Sequence, residues 1–166
     1  NPKPARMALP GEEITTQDLI KILSLAQQQN TISAPAINGA PANLRSLLSD
    51  LLRNETQTAA AINQVDDDVI NLVSMMFEFI LDDRNLAAPM KALIGRLQIP
   101  MVKVAIADKT FFSKGGHPAR RLLNEMAMAC LGWQESSEEN QRKDSLFNKM
   151  EETVRSILTL SLIHIS

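Results

Sequence analysis

An all-α fold, built as a packed set of short antiparallel helices in a bundle or a solenoid-like array, is what this sequence predicts. Composition points there first. The chain has no tyrosine, one tryptophan and five phenylalanines, set against abundant Leu, Ile, Ala and Met, a balance that favours helices over strands. Periodicity agrees, because apolar residues return every three or four positions in successive segments. Pro and Gly then cut those segments short. At 166 residues and 45% apolar, the chain is the size of one domain with a core of its own.

The opening NPKPARMALPGEE, residues 1–13, is Pro-rich and polar and reads as a flexible flank taken from the interior of a longer protein. Thr15 or Thr16 suits a helix cap, and Leu19, Ile20, Leu23 and Ala26 carry a helix to about Gln29. TISAPAINGAPA, residues 31–42, contains Pro35, Gly39 and Pro41 and no periodicity, which predicts a loose linker. A second helix begins near Asn43, with Leu44, Leu47, Leu48, Leu51 and Leu52 on one stripe. The polar, Ala-rich run from Asn54 to Gln64 is compatible with either an extension or a break. Together these pieces form an N-terminal region over 14–64.

A helical core spans 65–159. Asp66, Asp67 and Asp68 put negative charge where a helix starts, and Val69, Ile70, Val73, Met76, Phe77 and Ile80 make an unusually wide apolar face. That width predicts the central, most buried helix, ended by Asp82 and Asp83. Pro89 opens a short helix with Met90, Leu93, Ile94 and Leu97, and Pro100 forces a break or a kink. Met101 to Asp108 gives another short helix, Phe111 and Phe112 dock on the core, and a Lys-Gly-Gly turn leads to a helix from Pro118 to near Gly132. Beyond the polar SSEEN turn, Leu146, Phe147, Met150, Val154 and Ile157 mark a last helix from about Glu138 to Thr159. Leu160 to Ser166, LSLIHIS, reads as the in-frame translation of a transposon-end sequencing adaptor. Residues 160–166 are therefore set aside as a scar, and His164 with them.

Charge and cysteine content narrow the function classes. A net charge of −2 argues against bulk attraction to nucleic acid or anionic lipid. Its distribution is uneven, with eight Lys/Arg against four Asp/Glu between Asp82 and Trp133 and an acidic remainder. Cys130, the single cysteine, cannot close an internal disulfide and sits on an apolar helix face, as suits a reducing cytoplasm. The most apolar run, Val69 to Leu81, is interrupted by Asn71, Ser74 and Glu78 and is shorter than the roughly 20 residues a bilayer span needs. No membrane span and no signal peptide are expected.

The chemistry-bearing residues reduce to a few groups. In KGGHPARR, the residues Lys114, Gly115, Gly116, His117, Arg120 and Arg121 surround a helix start at Pro118. Two glycines, free helix N–H groups and two arginines are what an anion such as phosphate needs. A plain loop-to-helix turn, with His117 near the cap, needs the same residues. Asp66 to Asp68 and Asp82 with Asp83 are expected to cap opposite ends of one helix, roughly 24 Å apart, too far to share an ion. Arg84, Lys91, Arg96, Lys103, Lys109 and Lys114 alternate with apolar residues and, without aromatic stacking partners, read as a solvated face. Asp108, Lys109 and Thr110 suggest a proton-transfer group, but no nucleophile elbow, Walker loop or zinc spacing accompanies them. Cys130 as a nucleophile would need His117, over three turns away on the same helix. No catalytic residue, metal ligand or cofactor is assigned.

FILDDRNLAAPMKALIGRLQIPMVKVAIADKTFFSKGGHPARRLLNE resembles the large proteobacterial cytoplasmic proteins classed as domain of unknown function 1631. The resemblance is strong over residues 65–133 and weaker to Thr159. It implies an internal piece of a protein several times longer, most simply a non-catalytic interaction or regulatory module. The alternative is an anion- or nucleotide-binding segment at Lys114–Arg121 of a larger enzyme or signalling protein. Some members are labelled thymidine phosphorylase; the Gly/Ser-rich phosphate loop and Lys-Ser pairs of those enzymes have no counterpart here. Partners implied are the rest of the parent chain or another protein, with neither nucleic acid nor membrane expected and the oligomeric state open.

Overall fold

Helices dominate the computed structural model of the chain, which describes residues 13–28, 48, 61–113, 115–134 and 144–163. They are α1 (Thr16–Gln28), α2 (Gln64–Leu81), α3 (Ala88–Gly95), α4 (Gln98–Ala107), α5 (Pro118–Cys130) and α6 (Asp144–Ile163). Two short strands, β1 (Glu13–Ile14) and β2 (Ala61–Ile62), pair in parallel with Ile14 opposite Ile62. The fold is all-α, and this bridge only clips the start of α1 to the start of α2. The predicted helix near Asn43, the linker over 31–42, the SSEEN turn, Lys114 and His164 lie outside the described residues; Leu48, between α1 and β2, is helical and buried.

Capping sets the helix starts. Thr15 accepts the Asp18 N–H through Oγ1 at 3.1 Å, so Thr15 rather than Thr16 caps α1. Asn63 caps α2, its Oδ1 taking the Asp66 N–H at 2.9 Å. With 61–62 extended and Asn63 as the cap, the end of the 54–64 run is a break and not a helix extension. Asp82 closes α2, and Asp83 then turns the chain by accepting the Asn85 N–H at 2.8 Å.

Between α3 and α4 the break falls at Arg96–Leu97, ahead of Pro100. Pro100 sits within the first turn of α4, where an N–H has no intrahelical partner to lose. The last helix also departs from expectation. It continues past Thr159 to Ile163, into the 160–166 stretch set aside above, because Leu158 and Leu162 keep the apolar period and the carbonyls of Leu158 and Ser161 find donors on α1 and α4.

The central helix is α4 and not α2. It packs against α1, α2 and α6, and Ile99, Pro100, Met101, Val102, Ala105 and Ile106 are all buried. QIPMVKVAIA is apolar on every face, so it is stable only when surrounded. In α2, Ile70, Val73, Phe77 and Ile80 are buried while Val69 and Met76 are only half-buried. Each fully buried Leu or Phe of the core contributes about 2 kcal/mol by leaving water.

Candidate functional site

The turn that joins α4 to α5 collects the polar groups of the basic segment. Asp108 ends α4, and one of its carboxylate oxygens accepts both the Thr110 N–H at 2.9 Å and the Thr110 hydroxyl at 2.7 Å. The other lies 2.9 Å from His117 Nε2. His117 is the N-cap of α5, and its Nδ1 accepts the Ala119 N–H at 3.1 Å. An accepting Nδ1 leaves the proton on Nε2, which then donates to Asp108. The hydrogen bonds from Thr110 and His117 hold the Asp108 carboxyl down to about 2 from its ordinary 3.8.

Chemically, this cluster is occupied with holding the turn. Its order is Thr110 to Asp108 to His117, so the carboxylate and not the imidazole stands beside the hydroxyl. The lone pair that would serve a general base is spent on the helix cap. Phe111 packs 5.2 Å from the His117 ring and 4.8 Å edge-on from Phe112, anchoring the turn to the core.

Among the KGGHPARR residues, Arg120 Nη2 donates to the Ser113 carbonyl at 3.0 Å and its guanidinium lies 5.9 Å from the Phe112 ring centre. Arg121 is exposed, with its guanidinium beside Gly116, which adopts a φ of +75°. Gly115 is exposed, and a side chain there would meet nothing within 4 Å.

A second polar cluster lies deep in the fold. Lys103, on α4, has 0% relative exposure. Its Nζ donates to Gln27 Oε1 at 3.1 Å and to the Ser161 carbonyl at 3.2 Å, and Gln27 Nε2 donates to the Leu158 carbonyl at 2.7 Å. Burial pushes the Lys103 ammonium down to about 8, since both acceptors are neutral. The last carbonyls of α6 suit a cation, being the negative end of the helix dipole without intrahelical partners. Lys103 therefore leaves the solvated basic face proposed for it and ties the ends of α1 and α6 to the centre.

Near the strand pair, the buried Asp66 carboxylate accepts the Thr16 hydroxyl at 2.6 Å and Asn63 Nδ2 at 2.8 Å. Asp66 and Asp82 stand at opposite ends of α2. Among the described residues, no group of three or more His, Cys, Asp or Glu is placed to hold a metal ion. Cys130 is buried at the far end of α5 from His117, and desolvation pushes its thiol up.

Opposite the core, α2 presents a different kind of surface. Val65, Leu72, Met75 and Phe79 are exposed, Met75 by 64% and Phe79 by 84%. At 100° per residue these four fall within one solvent-facing stripe, bordered by half-buried Val69 and Met76.

The family described as "Protein of unknown function (DUF1631) 2nd domain" matches residues 13–161. The chain belongs to the DUF1631 family. The match takes this DUF1631 domain back through α1 and the strand pair, well beyond the segment whose motifs carry the resemblance. No curated protein and no solved structure matches the chain.

Three features of this DUF1631 domain escape a reading by pattern. The Asp108–His117 contact joins two turns across Phe111, which spacing does not specify. The burial of Lys103 had a signal, an all-round apolar QIPMVKVAIA with a single charge inside it. So did the outward stripe, through the seven-residue spacing of Val65, Leu72 and Phe79. Among the described residues, no helix is long and apolar enough to cross a membrane.

Proposed function

We propose that this DUF1631 domain is a non-catalytic helical interaction module of a larger bacterial cytoplasmic protein, docking through the outward face of α2 onto the rest of its parent chain. The carrying observation is Phe79, 84% exposed in line with Val65, Leu72 and Met75. A phenylalanine facing water gains about 2 kcal/mol when a partner covers it, and an exposed stripe of four large apolar residues, with Asp68 set among them, is the usual mark of a contact surface. The polar clusters support the same reading, since Asp108, Thr110 and His117 satisfy one another.

Methionine oxidation tests it. Met75 is 64% exposed, so hydrogen peroxide oxidises it rapidly in the 166-residue chain and at least about tenfold more slowly in the parent protein, where the stripe is covered. Equal rates in the two proteins would remove the docking surface.

The second reading, an anion or nucleotide held at the Lys114–Arg121 turn, draws on the open Gly115 and the exposed Arg121. It is the weaker of the two, because His117 is committed to the α5 cap and Arg120 Nη2 to the Ser113 carbonyl. It requires that phosphate or a nucleotide raise the melting temperature, and that Arg120→Ala with Arg121→Ala abolish the rise.

A further inference from the structure

The outward face of α2 carries information about what covers it. Val65, Leu72 and Phe79 recur every seven residues with Met75 between the last two, and from Val65 to Phe79 the stripe runs about 21 Å, four turns of helix. Another helix laid along such a stripe stays in contact at every turn. On one side the stripe merges with the core through half-buried Val69 and Met76. The other side is acidic. Exposed Glu78 and Asp82 follow that edge, exposed Asp68 sits within the stripe between Val65 and Leu72, and α2 contains no Lys or Arg from Gln64 to Leu81. The first basic residue, Arg84, comes only after the helix has closed at Asp82.

We infer that the occupant of this face is a basic amphipathic helix, with apolar residues at three- and four-residue spacing, a Lys or Arg placed to meet Asp68 within the stripe, and further Lys or Arg along the edge that meets Glu78 and Asp82. This rests on the reading of the chain as an interaction module and names the chemistry of its partner. Charge decides between occupants. A second copy presenting the same face brings another set of carboxylates and no cation, and like charges face to face oppose docking. An anionic membrane surface is repelled in the same way. A basic helix turns the acidic edge into a set of rim pairs that steer and orient the partner while the stripe supplies the affinity.

The test uses the 166-residue chain and three synthetic helices of about 18 residues: an amphipathic Leu/Lys helix, its Leu/Glu counterpart, and a Lys/Ser version without the apolar face. Calorimetry measures binding and amide chemical shifts locate it. The Leu/Lys helix is expected to bind one to one and shift residues from Val65 to Phe79. The Leu/Glu helix binds at least about tenfold more weakly, with the gap narrowing as salt rises. Phe79→Ser weakens the Leu/Lys complex by about thirtyfold.

Equal binding of Leu/Lys and Leu/Glu helices at α2 would overturn the basic partner and leave α2 as a docking face. Binding that ignores Phe79→Ser, or that the Lys/Ser helix reproduces, would overturn both. Self-association through Phe79 without peptide binding would make a second copy the occupant and overturn the proposal.

Discussion

Replacing Lys103 by Met isolates the cost of burying one charge. Folded Lys103 loses its proton near pH 8, whereas in the unfolded chain it holds it to its ordinary 10.5. Between those values the unfolded state binds more protons, so stability rises with pH across that window and is flat below it. At about 1.4 kcal/mol per pH unit, the gain from pH 7 to above 10.5 is about 3 kcal/mol. Methionine keeps most of the stem volume and has nothing to titrate. The variant gives up the donors to Gln27 Oε1 and the Ser161 carbonyl, and removing an ammonium from a neutral surrounding offsets part of that loss, leaving the two proteins within about 2 kcal/mol at pH 7. The informative quantity is the difference between them as pH changes, because every other titrating group cancels. Urea unfolding followed by circular dichroism at half-unit steps from pH 7 to 10.5 should show the parent sequence gaining about 3 kcal/mol relative to Lys103→Met. A difference that stays constant across that range would refute the buried, uncompensated charge.

Two substitutions two residues apart on α2 separate its faces: Phe77→Ala should cost about 3–5 kcal/mol, whereas Phe79→Ser should change the urea midpoint by less than about 0.5 kcal/mol equivalent. Asn63→Ala removes the cap of α2 and its donor to Asp66, so unfolding free energy should fall by about 1–2 kcal/mol. Asp108 carries a folded pKa depressed from 3.8 to about 2, so its contribution is complete above the ordinary value and disappears as pH falls through about 2. Asp108→Asn should therefore flatten the acid limb of the melting curve between pH 4 and pH 2, an effect that salt does not mimic. Cys130, buried with its thiol pushed up, should react with a disulfide reagent only in denaturant; a rapid reaction in buffer would show the end of α5 to be open.

Helix positions follow closely from local rules, and the reasons are visible at single residues. Thr15, Asn63 and His117 act as caps where a hydrogen-bonding side chain precedes an apolar period. Asp82 and Asp83 end α2, and Pro89 and Pro118 open α3 and α5. Pattern reading erred where two helices competed for the centre. The apolar width of α2 resembled full burial, yet one of its sides meets the core and the other meets water.

The sequence by itself determined the all-α class, the helix boundaries near capping and proline residues, and the family. These depend on contacts within a few residues of one another. Only the tertiary structure decided that α4 is the centre, that Lys103 ties Gln27 to the end of α6, that Asp108 and His117 meet, and that Phe79 looks outward while Phe77 does not. The Asp108–His117 contact closes within one turn that spacing does not specify, and the others depend on which neighbours arrive from distant parts of the chain. An apolar stripe declares that it favours burial, and only packing says whether the cover belongs to this chain or to a partner.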